Sequence, residues 1–242
     1  MQICRQGNGH YLDGLNNQDF CYMENNLKLV TDGCSSAPFS EVGTRLFVQA
    51  FSTLPTRFDV NKFEANVLTA FNSILRITSN ENVEEFIASN MLFTILACFE
   101  LEDKYIVKFV GDGYIITVNN ENMVSYTRLS YGKTPPYFAY TKISTTTYDK
   151  NLKFKTFEYH KKDFKLVGIA SDGIAPIAEK KLDVDFDKFI LGTDNTYTPE
   201  GIIRSNHTLF YDDVTILIWR RITWRFLRKK TKKIPHHTAQ KL

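Results

Sequence analysis

Apolar and polar residues alternate along many short stretches of the chain, which is the pattern of β-strands with one buried face. The alternation runs over residues 20–31, 93–100, 104–110, 114–119, 123–129, 154–159, 164–170 and 214–219. Most of these predicted strands follow one another without an intervening helix. This order favours antiparallel sheets over parallel ones.

Two stretches have helical spacing instead. From Glu41 to Thr53 apolar residues recur three or four positions apart, and from Val60 to Ile77 they line one face of a predicted helix. Helices laid on the outside of antiparallel sheets define an α+β fold. Since neither an internal repeat nor a long linker interrupts the pattern, the sequence predicts one domain over residues 1–219 and a tail over 220–242.

Three of the strand-like runs end in the dipeptide Asp-Gly, and a pair of aspartates opens the last run, at residues 32–33, 112–113, 172–173 and 212–213. Asp-Gly is also the commonest two-residue hairpin turn. The residues after Gly33 and Gly173 start no alternating strand, so these two are not simple hairpins. Carboxylates at strand ends, each followed by a residue without a side chain, suit a site that gathers hard oxygen ligands around metal ions.

Composition narrows the class of protein. The 242 residues, 43% of them hydrophobic, are enough to bury a large core. The four cysteines have no paired spacing, which argues against a disulfide framework and a zinc site and favours a reducing, cytoplasmic location. The first residues lack the apolar segment of a signal peptide, and the longest apolar stretch, 91–99, is too short to cross a bilayer.

Charge is distributed unevenly although the net charge is only +3. Eight basic residues and no acidic one lie between Arg220 and Lys233, which leaves the rest of the chain near −5. Apolar residues such as Trp224 and Phe226 alternate with these arginines. The tail therefore suits a solvated end, an acidic partner protein, anionic lipid or nucleic acid, and charge alone does not choose among them.

Six short motifs of acidic, amide and glycine residues occur in a fixed order: Asn17-Gln18-Asp19, Asp32-Gly33, Ser40-Glu41-Val42-Gly43, Gly111-Asp112-Gly113, Ser171-Asp172-Gly173 and Asp212-Asp213-Val214-Thr215. Together they resemble the motifs of metal-dependent protein phosphatases, the protein phosphatase 2C-like (PPM) family, and most closely its compact bacterial-type branch. The likeness runs from about Gly7 to Trp219. It implies a four-layer α/β/β/α sandwich of two antiparallel β-sheets flanked by helices, in agreement with the alternation described above.

The resemblance also implies the residues of a metal centre. Asp32 would bridge two Mg²⁺ or Mn²⁺ ions, and the carbonyl of Gly33 would join one of them. Asp172 and Asp212 would complete the first site, and Asp112 would help to hold a third, weaker ion. Asp32, Asp172 and Asp212 are thus the expected catalytic residues, since such ions share one water, lower its pKa and present it to the phosphorus atom.

Three further residues would lie behind these ligands. Gln18 stands where many members have a Glu that reaches the second ion through water, and Asp19 resembles an acidic residue that orients the same water shell. Asp213 occupies a position where Asn is more usual. Carboxylate and amide oxygens in this number match the hard-oxygen preference of Mg²⁺ and Mn²⁺, and the sequence does not choose between the two metals.

The chain departs from the family pattern where substrate phosphate would bind. Many members have an Arg three residues before the Asn, and this chain has Gly14. Many eukaryotic members have a His directly after the first Asp-Gly, and this chain has Cys34. His10 is a candidate to supply a positive charge or a proton to the phosphate, although a lone histidine is more often structural.

Two functions follow from these observations. The first is Mg²⁺- or Mn²⁺-dependent hydrolysis of phosphoserine or phosphothreonine in proteins, opposing a kinase of the same cell, by a chain we expect to be monomeric. The second is a weakly active or inactive relative that binds phosphoproteins or regulates a partner, an option opened by Gly14 and Cys34. The proline-bearing segment 131–142 is either an ordinary loop or a flap beside the catalytic cleft that helps to select the substrate.

Overall fold

A computed structural model describes residues 1–78, 82–130, 135–143, 152–193 and 198–219; the basic tail 220–242 lies outside the described residues. Ten strands form two antiparallel five-stranded sheets. The first sheet has the order β1 (Gln2–Arg5), β10 (Val214–Ile218), β9 (Phe164–Ala170), β6 (Gly113–Asn119) and β7 (Val124–Leu129). The second has the order β2 (Phe20–Glu24), β3 (Leu27–Gly33), β4 (Phe93–Glu100), β5 (Lys104–Val110) and β8 (Lys155–His160).

Helices cover the outer face of each sheet. On the second sheet lie α2 (Ser40–Ser52), α3 (Phe63–Ile77) and α4 (Val83–Asn90), whereas the shorter helices α5 (Ala175–Ala178), α6 (Asp187–Leu191) and α7 (Pro199–Ser205) lie on the first. Helix α1 (Asn8–Leu12) follows the first strand. The predicted α+β class and the four-layer α/β/β/α order are confirmed. No helix within the described ranges has both the length and the apolar character needed to cross a membrane.

Three apolar clusters hold the layers together, one between the two sheets and one under each set of helices. The cluster under α2 and α3 is rich in phenylalanine, and the rings of Phe47, Phe71 and Phe93 lie 5.3–5.5 Å apart. Strands β3 and β4 are buried on both faces because they have a helix layer on one side and the other sheet on the other. The nearly continuous apolar sequence of β4 follows from this position, whereas β3 also buries Lys28, Thr31 and Asp32.

One lysine is buried between the sheets. Lys28 of β3 has no exposed surface, its Nζ donates to the carbonyl of Val167 at 3.2 Å, and it lies 2.8 Å from the centroid of the Trp219 ring. Burial lowers the pKa of Lys28 to about 8. This contact holds Trp219, the residue after β10, against the centre of the sandwich.

The structure differs from the sequence prediction between residues 20 and 31. The single predicted run consists of two strands, β2 and β3, joined by Asn25 and Asn26, with Glu24 paired to Leu27. Asn25 has a φ of +48°, a conformation that asparagine tolerates better than most residues, so the pair forms a tight hairpin inside an otherwise apolar pattern. The prediction of two helices, at 41–53 and 60–77, is confirmed, with a 3₁₀ turn at Val60–Lys62 opening the second.

Candidate metal centre

Four aspartates meet at one end of the sandwich. Asp32 lies at the end of β3 in the second sheet, Asp172 follows β9 and Asp212 precedes β10 in the first sheet, and Asp112 lies in the link from β5 to β6. With Gly33, they line a cavity of about 140 Å³. Both sheets therefore contribute carboxylates to one small space, although the four residues are far apart in the sequence.

The link at 111–113 carries the chain from the second sheet to the first. Its two glycines have left-handed φ angles, +102° at Gly111 and +131° at Gly113. A Cβ atom at Gly111 would lie 2.5 Å from Cγ2 of Thr94, so neither the angle nor the space allows another residue there without strain. This sharp crossing directs Asp112 into the cavity. The dipeptide Asp112-Gly113 therefore forms part of a turn and also supplies a carboxylate to the site.

Burial, and after it the charge of neighbouring aspartates, raises the pKa of every carboxyl in this cavity. Burial raises the pKa of Asp32 well above its ordinary value, and the charges of neighbouring aspartates add to the effect. The pKa of Asp172 rises to about 6, first through burial and then through Asp112 and Asp212, and burial also raises the pKa of those two. No lysine or arginine is among the described residues that line the cavity. Arg128 lies outside the lining, and its charge offsets only part of the rise in pKa at Asp112 and Asp172, so the cluster keeps an excess of acidic oxygens.

Two residues of the Asn17-Gln18-Asp19 motif are buried beside this cluster. Gln18 and Asp19 are each 2% exposed. Within the described residues, Oε1 of Gln18 has no hydrogen-bond partner, and the carboxyl of Asp19 meets only the hydroxyl groups of Ser171 and Thr215. Burial, followed by the charge of Asp213, raises the pKa of Asp19 well above its ordinary value. Unsatisfied buried oxygens next to a carboxylate cluster are what a site for hard cations and their water requires.

Asp213 is turned away from the cavity and joins the N-terminal segment to β10. Its Oδ1 accepts a hydrogen bond from the backbone N–H of Gly7 at 2.7 Å, and its Oδ2 accepts one from Gln18 at 2.6 Å. Nδ1 of His10 lies 2.9 Å from the same Oδ2, while Nε2 of His10 lies 3.8 Å from Oδ1 of Asp212. Asp213 thus has three donors around it and fixes the backbone on which Asp212 stands.

His10 is buried, with 5% of its side chain exposed, and it is not among the residues that line the cavity. The hydrogen bond to Asp213 raises the pKa of His10. His10, Asp212 and Asp213 place potential ligand atoms within 4.8 Å of one another, a spacing that could hold a metal ion. Because Asp213 already accepts two backbone N–H groups and a protonated imidazole would satisfy it further, this trio is an ion-pair network rather than a metal site.

Cys34 and Gly14, the two positions that depart from the family pattern, have different surroundings in the structure. Cys34 lines the cavity, and its Sγ lies 3.1 Å from Oγ of Ser36. Gly14 has a φ of +69°, and a Cβ atom there would have no atom within 4 Å. A thiol therefore faces the aspartates, whereas the place of the usual arginine is an open turn.

Two lining residues, Ser35 and Thr94, are not predicted as site residues, whereas Pro135 and Tyr137 belong to the segment 131–142, for which the sequence leaves a loop and a flap open. The sequence offers one signal for Thr94, which is the polar residue that interrupts the longest apolar stretch. In the structure its buried hydroxyl has no hydrogen-bond partner among the described residues. Tyr137 is 7% exposed, and the next residue, Phe138, packs 4.9 Å from Phe71 in the core. The described part of the predicted flap is thus anchored, and residues 131–134 lie outside the described ranges.

The fold and the carboxylate cluster together define the class of four-layer α/β/β/α phosphatase domains. The family model of Protein phosphatase 2C matches residues 6–207, and the chain belongs to that family. A comparison with curated proteins found no match.

Solved structures of bacterial phosphatases have the same fold. Serine/threonine phosphatase Stp1 from Staphylococcus aureus is 14% identical, with a TM-score of 0.58 over 90% of this chain and 92% of that one. PstP from Mycobacterium tuberculosis is 14% identical, with a TM-score of 0.58 over 90% and 96%. The catalytic domain of PstP solved with two manganese ions is 16% identical, with a TM-score of 0.56 over 90% and 95%. At this identity the likeness extends to the fold.

Proposed function

We propose that the protein is a Mg²⁺- or Mn²⁺-dependent serine/threonine protein phosphatase, which hydrolyses phosphomonoesters of phosphoserine or phosphothreonine. One observation supports this most strongly: Asp32, Asp112, Asp172 and Asp212 converge from both sheets on one cavity whose described lining contains no lysine or arginine. A cluster of this kind is unstable by itself, because like charges in a buried space repel. A chain that only bound phosphoproteins would gain nothing from it.

The residues present fit two or three hard cations. Asp32, the carbonyl of Gly33, Asp172 and Asp212 would hold the first ions, and Asp112 an additional one. The unsatisfied Oε1 of Gln18 and the buried carboxyl of Asp19 suit the water shell behind these ligands. When bound, Mg²⁺ or Mn²⁺ supplies Lewis-acid chemistry, which polarises a phosphoryl oxygen and activates water. The two-manganese PstP structure is consistent with this assignment for a protein of the same fold.

The protein's own groups would position this chemistry. Asp213 holds Asp212 through the backbone, and His10 supports Asp213 from behind, so we assign His10 to positioning and not to proton donation. Tyr137 and Cys34 form the wall that a bound phosphoester would meet. The Cys34 thiol is the nearest candidate donor to a leaving alkoxide, although a thiol matches neutral pH less well than an imidazole.

A second candidate function is a weakly active or inactive domain that binds phosphoproteins. The observation that favours it is the open turn at Gly14, where no arginine is available to hold the substrate phosphate. Both candidate functions require binding of a phosphoprotein, and only the first requires its hydrolysis. We further propose that the substrate is a cytoplasmic phosphoprotein of a cognate kinase.

Hydrolysis of a phosphothreonine peptide with Mn²⁺ separates the two candidates. The wild type is compared with Asp172→Asn and with Asp163→Asn, which makes the same chemical change at an exposed turn. We expect Asp172→Asn to lower kcat/KM by on the order of 100-fold or more, as loss of a metal-binding group does, and Asp163→Asn to leave it unchanged. Equal and negligible rates from all three proteins would overturn the enzymatic function.

A further inference from the structure

A second cavity, of about 490 Å³, lies between β1, α1 and α7. It shares no lining residue with the metal centre. The two sites share one backbone segment, since Phe210 lines the second cavity and Asp212 lines the metal centre. The N–H groups of Asn8 and Gly9 hold this segment by donating to the carbonyls of Phe210 and Tyr211 at 2.8 and 2.9 Å.

Basic side chains outnumber acidic ones around this cavity. Arg5, Arg204 and His207 line it together with one acidic residue, Glu200. None of the three basic side chains has an ion-pair partner in the part of the chain that the structure describes. Several other basic side chains in those ranges form ion pairs, among them Arg57 with Glu24 at 3.2 Å and Lys104 with Glu158, Lys108 with Glu64 and Lys161 with Glu100 at 2.8 Å.

Two unpaired guanidinium groups at one concave surface are suited to an anion. The planar fork of arginine matches the oxygens of phosphate and binds them through two hydrogen bonds at once. The walls of a cavity also concentrate the field of the charges that line it. Phosphate is thus the group that this charge distribution recognises best.

Apart from Gln6, the rest of the lining is apolar or aromatic. Ile203 and Phe210 are 5% and 2% exposed and form the floor, and the ring of Tyr11, 71% exposed, stands at the side. Free phosphate would leave this surface uncovered. A ligand with a phosphate group and a planar, partly apolar body would cover both parts, and the volume is within the range of small-molecule sites.

We propose that this cavity binds a small organic phosphate of the mononucleotide class. Its phosphate lies against Arg5 and Arg204, and its ring lies against Tyr11 and Phe210. The site is separate from the metal centre and does not depend on the phosphatase activity proposed above, because ligand binding is measured directly.

Calorimetric titration of the full-length chain with AMP in Mg²⁺ buffer tests the proposal. We expect saturable binding to the wild type and affinity at least about tenfold weaker in the double variant Arg5→Gln/Arg204→Gln. Asp172→Asn, in the metal centre, and Arg76→Gln, an exposed arginine on α3, should bind AMP as the wild type does. Tyr11→Ala, at a residue exposed enough to leave folding unchanged, should weaken binding about fivefold or more through lost stacking.

Adenosine and inorganic phosphate serve as the two halves of the ligand, and each should bind at least about tenfold more weakly than AMP. The proposal is overturned if AMP does not bind, or if binding is lost in Asp172→Asn and kept in the double arginine variant, which would place AMP in the metal centre. It is also overturned if adenosine or phosphate binds as tightly as AMP. A phosphoserine peptide that displaces AMP at lower concentration than AMP itself would assign the cavity to a substrate segment instead.

Discussion

Asp213 shows how one buried residue can support a site that it does not enter. It is 2% exposed, accepts from Gly7 and Gln18, and pairs with His10. Its neighbour Asp212 lines the cavity. The N-terminal segment and the start of β10 are therefore held together at the residue next to a proposed metal ligand.

Replacement of Asp213 tests this support. Asp213→Ala leaves two buried N–H groups and His10 without a partner, so we expect the free energy of unfolding to fall by about 3 kcal/mol. Asp213→Asn keeps one acceptor and should cost about 1 kcal/mol. Urea unfolding monitored by circular dichroism measures both. Equal losses for the two variants would contradict the role given to the carboxylate.

At the scale of elements, the link between β5 and β6 directs Asp112 to the metal centre. The chain changes sheets within three residues there, and Gly111 and Gly113 adopt angles that other residues rarely take. The same crossing brings the second sheet, which carries Asp32, next to the first sheet, which carries Asp172 and Asp212.

Gly111→Ala should therefore be costly, by about 2 to 3 kcal/mol in the free energy of unfolding, since it combines a strained φ with a clash against Thr94. Gly14→Ala is the matched control. Its φ is also left-handed, but the space around it is open, so we expect a loss of about 1 kcal/mol. Thermal unfolding measures the loss of stability in both variants. If Gly14→Ala destabilises the protein as much as Gly111→Ala does, the close contact between Gly111 and Thr94 does not contribute.

The elements also show what sequence can predict. Strands 93–100, 104–110 and 164–170 are predicted as the structure has them, because their apolar patterns are long and bounded by turn residues. The alternating pattern does not reveal the hairpin at Asn25, because two polar residues fit within an alternating run. It also does not reveal α5 to α7, because these helices are too short to show helical spacing. The aspartates are found from motifs, whereas Ser35 and Thr94 enter the cavity only through tertiary packing.

At the scale of the whole molecule, we expect the carboxylate cluster to make stability depend on pH and, through the proposed ions, on metal. The folded pKa of Asp172, about 6, is above the ordinary carboxyl value of 3.8. Between these pH values the folded protein binds more protons than the unfolded one, so without metal the free energy of unfolding falls as pH rises. Asp172 alone accounts for about 3 kcal/mol of this fall.

Unfolding of the full-length chain in EDTA and in Mn²⁺, between pH 4 and 7, measures this dependence. We expect the fall in EDTA and its disappearance in Mn²⁺, because a cation that binds the ionised carboxylates stabilises the folded state. Asp172→Asn should reduce the slope in EDTA. Identical slopes in EDTA and Mn²⁺ would show that the cluster binds no metal.

The central claim is that metal binding at the aspartate cluster produces phosphoester hydrolysis. It is tested most directly when Mn²⁺ is titrated into the metal-free wild type and bound Mn²⁺ and phosphopeptide hydrolysis are measured in the same samples. We expect the rate to rise in proportion to occupancy, with both the tight binding and the rate lost in Asp32→Asn. Mn²⁺ bound without turnover, or turnover unaffected by Mn²⁺, would contradict the account.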